Sequence, residues 1–165
     1  MKARSGFTLV EILIVVVILG ILAAIVIPQF TEASTEAKTS SLVTDLQAMR
    51  SQLQLYKAQH NDNLPGVANG TYTGAATFIE SLTEKTDIFG NPYALTATVS
   101  ATGGPLYGPY MTRIPTNQFV DSDAVTCAAA GGVLPAVSTD GTQGWFFDED
   151  TGQIYATSSA EHLTY

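Results

Sequence analysis

The feature that most constrains this chain is the stretch 6–28, GFTLVEILIVVVILGILAAIVIP. Between residues 7 and 27 only Glu11 carries a charge. At the helical rise this run is about 32 Å long, enough to cross a bilayer core of about 30 Å. A helix of a soluble core keeps one polar face, and this one has none. An ordinary secretory signal has a shorter apolar core followed by a small-residue cleavage site, and no A-x-A follows here. The pattern therefore predicts a membrane-spanning helix over 7–28. Lys2 and Arg4 precede it, which predicts a cytoplasmic N-terminus and a body outside the cytoplasm. A carboxylate at mid-bilayer costs about 2.5–3.5 kcal/mol and is a functional candidate. Glu11 lies near the helix start, where the cost is smaller. The plain reading is a surface-level glutamate; the sharper one gives it a partner in an assembly.

The 165 residues suit this helix plus one small domain. The formal net charge is −8, unevenly distributed: 61–165 has only Lys85 and Arg113 against eleven carboxylates, whereas 29–60 is balanced. So acidic a surface repels phosphate backbones and disfavours nucleic acid as a partner. Cys127 is the single cysteine, which excludes an internal disulfide and suits a small buried apolar side chain.

Pro28 predicts a kink rather than an end, because helical pattern resumes at Gln29 and runs to about His60. Leu42, Leu46, Met49, Leu53 and Tyr56 recur at intervals of 4, 3, 4 and 3, forming one apolar stripe on an amphipathic helix over 29–60. A coiled-coil seam needs three to four heptads and this has about two, so the stripe reads as a face covered by the C-terminal domain. Turn formers at 61–66 end the helix. Residues 75–84 predict a short helix with Phe78, Ile79 and Leu82 inward. Strands are expected at 133–137, 144–147 and 153–157, the last two as a hairpin with Gly152 in its loop. The expected fold class is α+β: a long kinked N-terminal helix packed on a small antiparallel sheet.

Lys2 and Arg4, then Gly6-Phe7-Thr8-Leu9-Val10-Glu11, with Pro28 in register, resemble the class III signal of type IV pilins and type II secretion pseudopilins. The resemblance implies a leader over 1–6, cleavage by a prepilin peptidase between Gly6 and Phe7, and methylation of the new amine on Phe7. It assigns assembly to Glu11 and Phe7 and a helix kink to Pro28. The implied partners are further copies of the chain, minor pseudopilins, the inner-membrane assembly machinery and membrane lipid. The implied location is the inner membrane, single-pass, with a periplasmic domain over 61–165. Asp87-Ile88-Phe89-Gly90-Asn91-Pro92-Tyr93 resembles the D-x-W-G-N-P-Y turn of the major pseudopilin, with Phe89 in place of tryptophan. The segment 108–115 resembles that family's tyrosine-to-proline segment, which usually precedes the turn and here follows it.

No catalytic cluster is present: His60 and His162 have no ligand-spaced neighbours, the serines have no elbow motif, and no glycine loop has phosphate-binding spacing. His60 reads as a cation suiting a helix end, and His162 as an exposed residue of a polar tail. Asp140 and Asp148 leave two readings open. One is a calcium site, which the resemblance implies for a C-terminal loop and which needs six to eight oxygens. The other is a solvated acidic hairpin turn. The functional expectation is a non-enzymatic structural subunit of a type II secretion pseudopilus. A type IV pilus pilin is the nearest alternative. A membrane-anchored periplasmic binding or enzymatic domain is the alternative of another class, and a plain anchor would need neither Gly6 nor Glu11.

Overall fold

A computed structural model describes residues 8–129, 131, 133, 135–138 and 141–165. Helix α1 spans Leu9–Gln59, and the chain divides into two units, Met1–Ser40 and Ser41–Tyr165.

In the first unit every described residue from 8 to 37 is exposed. The helix holds an 18-residue window of mean hydropathy 3.3, none of it buried within the chain. It continues through Pro28, which leaves the carbonyl of Ala24 without its usual donor. Beyond the proline, the hydroxyls of Thr31, Thr35 and Thr39 each donate to the carbonyl four residues earlier at 3.0 Å. Such back-bonding satisfies a hydroxyl on an otherwise apolar helix surface.

In the second unit the stripe is the core. Leu42, Leu46, Met49, Leu53 and Tyr56 are at most 2 % exposed. Small elements follow in order: β1 (Val67–Ala68), β2 (Thr71–Tyr72), α2 (Ala75–Thr83), β3 (Lys85–Thr86), β4 (Pro92–Tyr93), β5 (Val125–Ala128), β6 (Trp145–Asp148) and β7 (Gln153–Ala156). A 3-10 turn at His162–Thr164 comes last. As expected, α2 buries Phe78 and Leu82 and packs Ile79 against the core. Phe78 meets Phe147 of β6 with ring centroids 4.4 Å apart. Trp145 is fully buried and its Nε1–H donates to the Pro115 carbonyl at 2.7 Å, which meets the requirement of a buried indole for an acceptor.

The hairpin of β6 and β7 forms in the predicted place, in a register that pairs Trp145 with Ala156 and Phe147 with Ile154. The third strand does not. Val133 and residues 135–137 carry no strand, and Val133 is 70 % exposed. Pro135 lacks the donor a ladder needs. The sheet is completed instead by β5, which pairs parallel to β6 from Val125↔Trp145 to Ala128↔Asp148. The α+β class stands, with a mixed three-stranded sheet in the order β5-β6-β7.

Both histidines differ from expectation. His60 is fully buried and His162 is 8 % exposed. His162 lies against Phe119 at 4.3 Å, and its Nδ1 is 2.7 Å from the Ser158 hydroxyl. Burial pushes both imidazoles below the usual histidine range, so each is held neutral and neither serves as a surface cation.

Candidate assembly face

The head of α1 is built by local chemistry. Thr8 is its N-cap: its Oγ1 accepts the Glu11 N–H at 3.2 Å, and the Glu11 carboxylate accepts the Thr8 N–H at 3.4 Å. This is a reciprocal capping box, which meets two of the helix's orphan donors. The spacing T-x-x-E ahead of an apolar run was its signal in the sequence, and neither reading of Glu11, as a surface-level glutamate or as a partner in an assembly, included it. An acidic side chain in the first turn also complements the helix dipole.

From this cap the exposed apolar surface runs without interruption by charge to Phe30, which is itself 75 % exposed. Ile12, Leu13, Ile14 and Val15 are 51 %, 56 %, 53 % and 48 % exposed and, at about 100° per residue, point to successive sides of the helix, so no face is polar. Gly20 has nothing within 4 Å of where a Cβ would stand. In water such a surface would be strongly disfavoured; lipid or the like surfaces of other helices can accept it. Glu11 is the one ionisable group among the described residues of this stretch. The predicted cleavage and methylation residues Gly6 and Phe7, with Lys2 and Arg4, lie outside the described residues.

In the second unit the turn at 87–93 is organised by Asp87. Its carboxylate, 3 % exposed as a residue, accepts the backbone N–H groups of Phe89 and Asn91 at 3.0 Å each, the Asn91 side chain, and the Tyr93 hydroxyl at 3.4 Å. Asn69 and Asn91 exchange amide bonds at 2.9 and 3.2 Å, tying this turn to the β1–β2 turn.

Of the two acidic residues read as calcium ligands, Asp140 lies outside the described residues. Asp148 is fully buried, and its two oxygens accept the Asp150 N–H at 3.0 Å and the Thr151 hydroxyl at 2.7 Å. It closes the β6–β7 turn. The solvated-turn reading is thereby corrected at Asp148, which is a buried turn anchor. Among the described residues no group of three or more His, Cys, Asp or Glu is placed to hold a metal. Cys127 packs against the core, and burial raises its thiol to about 11, so little thiolate exists at neutral pH.

Residues 1–27 match the family model described as the prokaryotic N-terminal methylation motif. The match covers the basic leader, Gly6, Phe7 and Glu11 in register, together with nearly all of the exposed apolar helix. The chain thus carries this motif and is similar, over part of its length, to type II secretion core proteins and to a fimbrial protein.

The type II secretion system core protein G of Pseudomonas aeruginosa is 38 % identical over 91 residues, 55 % of this chain and 56 % of that protein. The protein of the same name from Vibrio cholerae is 41 % identical over 61 residues, 37 % of this chain and 42 % of that protein. A fimbrial protein of Pseudomonas aeruginosa is 46 % identical over 50 residues, 30 % of this chain and 32 % of that protein. The chain thus spans about half the length or less of the curated relatives it matches. No solved structure matches it. Phe89, which stands where the resemblance has tryptophan, is 52 % exposed.

Proposed function

We propose that the chain is a structural subunit of a pilus or pseudopilus filament, serving type II protein secretion and having no catalysis of its own. The observation that carries this reading is the coincidence of the methylation motif with an apolar helix exposed on every side and charged only at Glu11. Such a helix suits storage in a membrane and then packing among copies of itself. The match to core protein G runs over 91 residues, longer than α1, and so favours the pseudopilus over the pilus. The domain would face the periplasm, and minor pseudopilins and the assembly machinery would be its partners.

On this reading the prepilin peptidase cuts between Gly6 and Phe7, and Phe7 presents a methylated amine. Lys2 and Arg4 leave with the leader, so that amine becomes the positive group closest to Glu11 in sequence. Phe7 and Glu11 are i and i+4, which allows a pair within one helix; axial stagger between subunits would exchange it for a pair across the interface. Burying Glu11 unpaired among apolar helices would be costly, so the pair gives register as well as attraction.

Two measurements test the proposal. Intact mass spectrometry of membrane-extracted protein should give a chain starting at methylated Phe7; retention of Met1 in cells carrying the peptidase would overturn it. Glu11→Leu and Glu11→Ala should leave membrane levels unchanged and abolish sheared filaments, with Glu11→Gln intermediate. Because Glu11→Leu also breaks the capping box, Thr8→Val is the control. It removes the hydroxyl of the cap, at a cost of about 1 kcal/mol, and should still assemble. Assembly of the leucine variant at parental yield would eliminate the charge mechanism.

A further inference from the structure

His60 sits immediately after α1, fully buried, and the proposed assembly makes no use of it. Its Nδ1 is 2.9 Å from the Tyr56 carbonyl, an acceptor only, so Nδ1 carries the proton. Nε2 is then the acceptor, and the Thr86 hydroxyl donates to it at 2.8 Å. The ring stacks on Tyr56 at 3.8 Å with an interplanar angle of 4°, and Tyr107 meets it edge-on at 5.3 Å. The Tyr110 hydroxyl donates to Gln59 at 2.6 Å and lies 3.5 Å from Nδ1. Thus one imidazole joins the end of α1, strand β3 and the strap at 107–110.

We propose that His60 is an acid-sensitive latch: neutral, it fastens the turn at 84–93 and the 107–110 strap to the end of α1, and on gaining a proton it releases them while the β5–β7 sheet stays folded. This inference does not depend on the filament reading.

The charge is what the site cannot accommodate. A proton on Nε2 replaces an acceptor with a donor facing the Thr86 hydroxyl, which must turn its own hydrogen away. The groups around the ring are Tyr56 on α1, Asp87 after β3, and Tyr107 and Tyr110 on the strap. Lys57 and Asp62, beside it in sequence, pair with each other at 3.4 Å. Asp87 favours the charged imidazole, but its carboxylate is committed to the turn by the donors at Phe89, Asn91 and Tyr93. Burial outweighs it and holds the imidazole below the usual histidine range of 6.5. A histidine lowered in the folded state contributes stability that is complete above its unfolded value and lost as pH falls below it. The loss should be local because the region's other ties run to α2 and the β1–β2 turn: the N–H groups of Tyr110 and Met111 donate to the Leu82 carbonyl at 2.9 Å each, and Asn69 bonds to Phe89 and Asn91. Strands β1 to β4 are two residues each, and Thr86 and Tyr107 exchange only two backbone bonds, at 2.9 and 2.8 Å. The four-residue strands β5 to β7 enclose Trp145 and Phe147 and belong to the more stable part.

The experiment is hydrogen exchange on the full-length chain in detergent micelles at about pH 7.5 and about pH 5, corrected for intrinsic rates. A several-fold loss of protection is expected at acid pH for 84–93 and 104–112, with no comparable loss over 145–156. H60Q should abolish that pH response, and H162Q, which removes the other buried imidazole, should retain it. Equal loss across both regions, or the same local loss in H60Q, would overturn the latch. If H60Q does not fold, NMR titration of the wild-type His60 ring decides: loop amides must shift with it, and loop amides that stay constant through its titration overturn the proposal.

Discussion

Gly90 has φ of +82°, and a Cβ placed on it would stand 2.0 Å from the Val67 carbonyl oxygen. Two separate costs therefore meet at one residue: a left-handed backbone and a backbone atom that cannot move aside. Gly70 shares the backbone cost, with φ of +78°, but has nothing within 4 Å. The pair makes a controlled test. Gly70→Ala should cost about 1 kcal/mol, and Gly90→Ala roughly 2–4 kcal/mol, read from denaturant midpoints followed by Trp145 fluorescence. Equal effects would mean that the close approach to Val67 contributes nothing. That Gly90 belongs to a turn was legible from its Asn and Pro neighbours. Why it must be glycine was not, because Val67 lies far from it along the chain and reaches it only through the β1–β2 turn.

Helix α1 is one element working in two environments. Leu46 is 1 % exposed and Ile18 is 51 % exposed, although both are large aliphatics in the same helix. Leu46→Ala should lower the stability of the second unit by about 2–5 kcal/mol, the transfer loss plus a residual cavity. Ile18→Ala should leave that unit's melting unchanged in micelles, since its surroundings there are apolar before and after unfolding. The stripe that predicts the first effect was readable from its spacing alone. The hairpin of β6 and β7 was readable too, from aromatic and β-branched runs around Gly152. Strand β5 was not: a four-residue Val-Thr-Cys-Ala segment has no decisive period, and it becomes a strand only because β6 offers a parallel partner.

At the scale of the whole molecule, charge is the dominant asymmetry. The segment 61–165 carries eleven carboxylates and two cations. Lys85 is engaged, donating to the Ala97 carbonyl at 2.8 Å. Like-charge repulsion in a compact domain is screened over about 8–10 Å at physiological salt. Raising sodium chloride from about 0.01 M to about 0.15 M should therefore raise the melting temperature by a few degrees, equivalent to about 1 kcal/mol or less. A fall with salt would show that attractive pairs outweigh the acidic excess.

What the sequence determined by itself is whatever depends on neighbours along the chain. The apolar run announces a membrane-grade helix because its length and lack of charge are properties of consecutive residues. The 4-3-4-3 stripe announces a covered face because helical period is local. The register of Gly6, Phe7 and Glu11 announces the methylation motif for the same reason, and the processing and assembly proposed above rest on it. What only the tertiary structure decided is whatever depends on residues brought together from a distance. His60 and His162 looked like surface groups because nothing beside them in sequence covers them; Thr86 and Tyr107 bury one, and Phe119 and Ser158 line the other. The third strand moved from 133–137 to Val125–Ala128 because strand identity in a short segment is conferred by its pairing partner, and that pairing exists only once the chain has folded.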